Sequence, residues 1–287
     1  MIARLGAAAR YLLGTDFAGR NLRTYPDDTF ITSYAKSGNT WTRFLVASLL
    51  HPNEPMTLVR ADELIPSTTQ SRRYLDSVPR PRILKSHFPF DPGYRRVIYV
   101  VRDPKDVAVS QYHFKIKRGV LPDGYPMENF IASFLNGEAT PYGSWREHVG
   151  SWLAARLGDP HFLLLRYEDL HRQTEVEVAR IARFFGVEPT AQRIQWAIEQ
   201  SSADRLRNLE QTEAARWDST KDTRKDQSFF RSAKMGDGKA TLSPQSIAHI
   251  EAAWGPLMRW LGYEVATTGS DSAYAGFVES VFQHTTK

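Results

Sequence analysis

The sequence predicts an α/β domain in which a central parallel sheet is flanked by helices. Short, continuous apolar runs such as 97–101 (VIYVV) are typical of strands buried on both faces of a sheet. Longer segments with apolar residues at helical spacing separate these runs, and this alternation favours a parallel sheet. Because periodic segments extend along nearly all of the 287 residues, we expect one domain over 1–287.

The strand signals come in chain order and end in polar residues. We expect strands at 30–34, 82–85, 97–101 and 162–165. In parallel α/β folds, ligands bind at the carboxyl ends of the strands. Lys36, His87, Arg102 and Tyr167 each follow a strand end, so one site could collect all four.

The helices are predicted from apolar spacing and from capping residues. The spacing of Trp41, Phe44 and Leu49 predicts a helix over 40–50. Asp103 as N-cap, with Pro104 at the first helical position, predicts a helix that continues to about Lys117. Further helices are expected at 144–157, 172–185, 189–200, 202–210 and 244–261.

The remaining segments carry weaker signals. An N-terminal helical segment is expected within 1–25; its first 20 residues could also be a targeting peptide or a surface-binding helix. Residues 51–80 have irregular composition, and 119–126 and 136–143 resemble loops. The charged, aperiodic segment 211–241 is predicted to be a mobile loop, and 265–287 a polar tail.

Composition excludes several classes of function. The chain has no cysteine, so disulfides, thiolate metal sites and a cysteine nucleophile are excluded. No apolar run approaches the roughly 18 residues of a membrane span, so no integral membrane association is expected. The net charge of +5 suits an anionic ligand, but no dense Lys/Arg run with interleaved aromatics points to nucleic acid. A cytoplasmic location is expected.

The segment 29–41 (TFITSYAKSGNTW) predicts a strand, a polar turn and the start of a helix. Backbone amides at a helix N-terminus, with Lys36 and the Thr40 hydroxyl beside them, suit an anion such as phosphate. A Walker loop needs Gly-Lys-Ser/Thr, whereas the order here is Lys-Ser-Gly-Asn-Thr. Arg102, between a buried strand and a helix, suits a second phosphate, unless it pairs with Asp103 or Asp106.

Five motifs, in order, resemble those of the cytosolic-type sulfotransferase family. YAKSGNTW resembles the family's phosphosulfate loop YPKSGTTW, and VIYVVRDPKDVAVSQYHF resembles its 3′-phosphate segment. ILKSHFPFD resembles the stretch IIKTHLPLD, which carries the catalytic histidine. LLRYEDL resembles YYEDL, and FFRSAKMGDGK is a weakened copy of FVRKGxxGDWK.

The resemblance implies a P-loop-like loop that binds the 5′-phosphosulfate of 3′-phosphoadenosine 5′-phosphosulfate (PAPS), with PAP as the product. The phosphosulfate would be held by Lys36, Ser37, Gly38, Asn39, Thr40 and Trp41. The 3′-phosphate would be bound by Arg102, Ser110 and the triplet Arg231, Ser232 and Ala233. Tyr167 would contact the adenine, and Ser201 matches a threonine beside the base.

The implied reaction is an in-line transfer of a sulfuryl group to a small-molecule hydroxyl, a phenol or an alcohol. His87 would be the general base, with His113 as a competing candidate. Lys36 would stabilise charge on the leaving oxygen, and Lys85 would hold the sulfonate. Ser110 could hydrogen-bond Lys36 until the acceptor binds. A sulfuryl group carries less charge than a phosphoryl group, so lysines can replace a metal and none is expected.

The chain departs from the family pattern at several points. Ala35 replaces the loop proline and Asn39 its second threonine. Ser232-Ala233 replaces Lys-Gly, which puts the 3′-phosphate contacts there in question, although Lys234 could substitute. Ala203 stands where a stacking phenylalanine is expected. The family's dimer signature is not recognisable in 239–251, so the oligomeric state is open.

Two alternative functions remain. A non-catalytic PAPS- or PAP-binding sensor is suggested by the weakened segment 229–239, and a P-loop kinase by the general pattern of the loop. The acceptor would be enclosed by loops whose shape a single sequence does not give.

Overall fold

The computed structural model describes residues 18–231 and 235–266, together with Leu13 and Asp16. Its centre is a parallel sheet formed by β1 (Thr29–Ser33), β2 (Ile83–Ser86), β3 (Arg96–Val101) and β4 (Phe162–Arg166). The strands lie in the order β2-β1-β3-β4. The predicted fold class and the four predicted strands are confirmed.

The helices of the described chain surround this sheet. They are α1 (Asn39–Leu50), α2 (Leu58–Leu64), α3 (Arg72–Ser77), α4 (Pro104–Lys117), α5 (Met127–Leu135), α6 (Trp145–Arg156), α7 (Tyr167–Arg172), α8 (Thr174–Phe184), α9 (Ala191–Gln200), α10 (Ala203–Glu213), α11 (Asp237–Thr241) and α12 (Pro244–Trp260).

The structure differs from the sequence-based expectations in three places. Residues 51–80 are not irregular, because α2 and α3 lie there, with the Thr57 and Ser71 hydroxyls as N-caps. The helix expected over 172–185 is present as α8, but the separate helix α7 before it and the helix α5 were not predicted. The segment 211–241 begins inside α10, ends in α11 and buries Trp217; its mobility stays a prediction.

The sheet separates two hydrophobic clusters. Alternate residues of a strand point to opposite faces, so Val97 and Val101 belong to one cluster, with α4, α5, α6 and α12. Ile98 and Val100 belong to the other cluster, with α1, α8 and α9. This three-layer arrangement leaves the carboxyl edge of the sheet open between the helices.

Two predicted segments lie largely outside the described residues. Of the helical segment expected within 1–25, the described residues are Leu13, Asp16 and those from residue 18 onward. Of the predicted tail 265–287, only residues 265 and 266 are described. None of the helices in the described chain combines the length and the apolar character that crossing a bilayer requires.

Candidate active site

A cavity of about 650 Å³ lies at the carboxyl edge of the sheet. Most of the predicted site residues line it: Lys36, Gly38, Asn39, Thr40, Trp41, Lys85, His87, Arg102, Ser110, Tyr167, Ser201 and Arg231. Ser37 is fully buried and is not part of the wall. Ser232 and Ala233 lie outside the described residues.

The loop between β1 and α1 has two residues in the left-handed region, Lys36 at φ 70° and Gly38 at φ 99°. A Cβ atom at Gly38 would lie 2.4 Å from Cδ2 of Tyr167, so both backbone and space require glycine there. Thr42 donates to the Gly38 carbonyl at 3.0 Å, and this bond begins the helical hydrogen-bond ladder. The amides of residues 39–41 therefore remain available to an anion.

Ser37 takes part in the turn that precedes α1. Its backbone amide donates to the Tyr34 carbonyl at 3.2 Å, which closes the turn. Its hydroxyl is buried and has no hydrogen-bond partner among the described residues. The loop amides without an intrahelical partner are thus those of the helix start, and Ser37 shapes the turn that presents them.

The Lys36 ammonium lies between two aromatic rings, 4.4 Å from the ring centre of Phe114 and 4.1 Å from that of Phe229. Burial, with the Arg102 guanidinium as the next cause, lowers the pKa of Lys36 from 10.5 to about 7. The predicted hydrogen bond with Ser110 is replaced by these ring contacts. Lys36 is therefore held among apolar side chains, where a nearby anion would stabilise its charged form.

His87 is fixed by its backbone neighbours. Its Nδ1–H donates to the Ser33 carbonyl at 2.8 Å. His148 donates from Nε2 to the His87 carbonyl at 3.0 Å and accepts the Tyr99 hydroxyl at 2.9 Å. Burial, followed by the charge of Lys85, places the pKa of His87 well below its usual range. The imidazole is thus neutral, and its Nε2 carries the free lone pair.

Lys85 faces the same cavity from the strand that leads to His87. Burial, followed by the charge of Arg43, lowers the pKa of Lys85 to about 8. Arg43 is paired with Asp62 at 2.7 Å. Lys85 therefore has a cation as a close neighbour and would be stabilised by an anion in the cavity.

Arg102 stands at the end of β3, where its Cζ lies 4.2 Å from the ring centre of Tyr167. It donates to the Lys36 carbonyl at 3.4 Å and to Asp106 at 3.3 Å. Asp106 also accepts the amides of Gly236 and Gly238, at 3.0 and 2.7 Å. One carboxylate thus joins the predicted 3′-phosphate arginine to the distant 236–238 turn.

Trp41, Tyr167 and His171 form an aromatic wall beside Arg102. The Trp41 ring is 5.7 Å from that of Tyr167 and 4.5 Å from that of His171. Flat apolar faces of this kind suit a stacked base.

Two further predicted site residues have partners within the protein. Arg231 is paired with Asp237 at 2.5 Å, and the Ser201 hydroxyl donates to the Ala197 carbonyl at 2.7 Å.

The positioning role of the Asn39 side chain was not predicted, and Glu210 was not predicted as a site residue at all. The Asn39 side chain donates to the Ile31 carbonyl at 3.1 Å and reaches the Ser86 carbonyl at 3.4 Å, so it joins the ends of β1 and β2. Glu210 accepts the amides of Phe229 and Phe230, at 2.6 and 3.1 Å, and so holds the Phe229 ring over Lys36. No sequence signal distinguishes Glu210 from a solvated helical glutamate.

The sheet and the loop after β1 define a P-loop-like α/β fold, with a cavity at the carboxyl edge of the strands. The profile of the sulfotransferase domain family matches residues 26–262. The chain therefore belongs to the sulfotransferase family, and the predicted family and enzyme class are confirmed.

Curated relatives agree with this assignment. Sulfotransferase 1A1 of Canis lupus familiaris is 27% identical over 267 residues, which cover 86% of this chain and 89% of the relative. Sulfotransferase 1B1 of the same organism is 30% identical over 231 residues, covering 75% and 77%.

Solved structures share the fold. The mouse sulfotransferase SULT7A1 complexed with PAP matches with a TM-score of 0.69 at 22% identity, covering 86% of this chain and 89% of that one. Retinol dehydratase in complex with androsterone and the inactive cofactor PAP gives the same TM-score and identity, covering 92% and 88%.

Proposed function

We propose that this sulfotransferase moves a sulfuryl group from PAPS to a hydroxyl, phenolic or alcoholic, of a small-molecule acceptor, with His87 as general base. PAPS supplies the sulfuryl group and leaves as PAP. The close approach of Gly38 to Tyr167 and the available amides of residues 39–41 fit its 5′ end. PAP in two structural neighbours supports this donor. The residues that would hold it are Lys36, Gly38, Asn39, Thr40, Trp41, Arg102, Ser110, Tyr167, Ser201 and Arg231, with Ser37 shaping the loop and Ser232 and Ala233 as sequence-based candidates.

One observation supports the role of His87 most directly: its Nδ1–H donates to the Ser33 carbonyl at 2.8 Å. A carbonyl only accepts, so Nδ1 carries the proton and Nε2 is the basic nitrogen. Because its pKa is lowered, the ring is neutral at pH 7. Its Nε2 therefore carries no proton and can accept the one that the attacking hydroxyl loses. His113 does not line the cavity and is the weaker candidate.

Lys36 and Lys85 would stabilise the negative charge that develops on the transferring group and on the leaving oxygen. Lys36 must leave the rings of Phe114 and Phe229 to do so. Ser110 lies one helical turn before Phe114, where it can hydrogen-bond the 3′-phosphate and restrain Lys36 after that movement.

The test is incubation with PAPS and a panel of phenols and alcohols, with sulfated products detected by mass. His87→Ala should lower kcat by about 100-fold or more, in line with the loss of a general base, and should leave the PAP affinity nearly unchanged. His249→Ala, on the exposed face of α12, is the matched control.

Other outcomes would favour other functions. Tight PAP binding without transfer to any acceptor would favour the sensor, and Mg²⁺-dependent consumption of ATP would favour a kinase. A large loss of PAP affinity in His87→Ala would instead assign His87 to donor binding.

A further inference from the structure

The charges along the cavity wall do not balance. In the described part of the chain, seven lysines and arginines line the cavity, but only three carboxylates do. Each carboxylate is already in an ion pair: Asp62 with Arg43 at 2.7 Å, Asp218 with Lys221 at 2.8 Å and Asp237 with Arg231 at 2.5 Å. The excess positive charge is therefore not neutralised by the wall itself.

The proposed donor accounts for part of this excess. Its two anionic ends are assigned to Lys36, Lys85, Arg102 and Arg231. Lys115 and Arg118 remain, and among the described residues neither forms an ion pair or a side-chain hydrogen bond. A cation in the last turn of a helix is stabilised by the helix dipole, whatever direction its side chain takes. Lys117, in the same turn of α4, instead turns away and donates to the Arg224 carbonyl at 2.9 Å.

The geometry of α4 places Arg118 relative to Lys36. Ser110, Phe114 and Arg118 are four residues apart, so they share one face of α4, and each step advances about 6 Å along the axis. Phe114 lies against the Lys36 ammonium at 4.4 Å and against the Arg118 guanidinium at 5.9 Å, measured from its ring centre. Since Lys36 and Arg118 both lie against the Phe114 ring, their charged groups are separated by at most the total of these two distances, roughly 10 Å.

The cavity lining also includes aromatic and apolar side chains. Phe114, Val120, Pro141 and Tyr142 are among them, and the Tyr142 ring lies 5.8 Å from that of His87. An acceptor whose hydroxyl meets His87 would place its body against Phe114 and Tyr142. Its far end would then lie within reach of Lys115 and Arg118.

We propose that the acceptor is an anionic hydroxyl compound, with an apolar or aromatic body and a carboxylate or similar group at the end opposite the hydroxyl, which Lys115 and Arg118 bind. This inference rests on the proposed sulfotransferase function and names its acceptor class. The guanidinium of Arg118 offers paired donors for a carboxylate, and charge-assisted hydrogen bonds of this kind are stronger than neutral ones.

The experiment compares 3-(4-hydroxyphenyl)propionate with its methyl ester as acceptors. We expect the carboxylate to have at least a tenfold higher kcat/KM than the ester, the range of one hydrogen bond to a charged group. The double variant Lys115→Gln/Arg118→Gln should abolish this preference, as should raised ionic strength. Arg73→Gln, which removes an exposed charge on α3 outside the cavity, should leave the preference intact.

Turnover of the ester shows that the sulfotransferase function holds even where the acceptor inference fails. Equal use of ester and carboxylate by the wild type would overturn the inference, and so would a preference that survives in the double variant. Calorimetric binding of the carboxylate to the PAP-loaded protein tests it without turnover. Tighter binding to the wild type than to the double variant supports the inference, and equal binding refutes it.

Discussion

Binding of PAP above pH 8 should be accompanied by the uptake of about one proton, chiefly by Lys36. In the protein without nucleotide, burial and the charge of Arg102 lower the pKa of Lys36 to about 7. An anion beside the ammonium opposes both causes and raises this pKa toward its ordinary range. The pKa of the bound state is therefore the higher one, and the proton is taken up on binding.

The magnitude follows from the two pKa values. At pH 8.5, only about 3% of Lys36 is charged in the free protein if its pKa is about 7, whereas nearly all is charged if the bound state regains an ordinary pKa. The affinity for PAP should then be highest between about pH 6 and 7 and fall by up to about tenfold per pH unit between pH 7.5 and 9.5. The nucleotide phosphates, with a second pKa near 6, are already ionised there.

Isothermal titration calorimetry in buffers of different ionisation enthalpy measures the proton uptake directly. Lys36→Met should remove most of it. Lys239→Met is the matched control, because the Lys239 side chain is 78% exposed and lies outside the cavity. A PAP affinity that stays constant over pH 7.5–9.5, with no proton exchanged at pH 8.5, would refute the reasoning.

Three substitutions test the frame of the site. Gly38→Ala should lower Tm and weaken PAP binding at least tenfold, since its Cβ would lie 2.4 Å from Tyr167; unchanged binding in a fluorescence titration would show that the loop can rearrange. Asp106→Asn should cost about 1–3 kcal/mol in urea unfolding, because it weakens the bonds that include the Gly238 amide; a loss below about 0.5 kcal/mol would contradict its bridging role. Glu210→Gln should raise KM for PAPS without a comparable loss of kcat, because the cavity wall formed by Phe229 and Phe230 is loosened; an effect confined to kcat would count against this.

Much of the sheet edge was predictable because its signals are local. The apolar run before Arg102 specifies a buried strand, and Asp103 with Pro104 specifies the start of α4. Once the strands are parallel, the residues after each strand must meet at one edge. Lys36 and His87 were therefore placed in one cavity without any long-range information.

The parts that were missed depend on distant partners. Helix α2 has seven residues, too few to show an apolar period, and its first amides are capped from far along the chain. Glu213 accepts the amides of Leu58 and Val59 at 2.8 and 3.1 Å. The aromatic clamp on Lys36 likewise depends on Phe229, which Glu210 holds in place. Such contacts follow from the fold and leave no periodic signal in the sequence.

The order of the strands explains how one edge can serve two ligands. In the order β2-β1-β3-β4, the residues that follow the strands are His87, Lys36, Arg102 and Tyr167. In the proposed function this is also the order of their tasks: proton removal, transfer, phosphate binding and adenine contact. The two central strands, β1 and β3, are each followed by a helix that borders the cavity. Helix α1 follows β1 and supplies the amides proposed to bind the anion. Helix α4 follows β3 and supplies the face with Phe114 and Arg118. The acceptor end and the nucleotide end are therefore separated by the topology itself, and Lys36 stands between them because β1 is central.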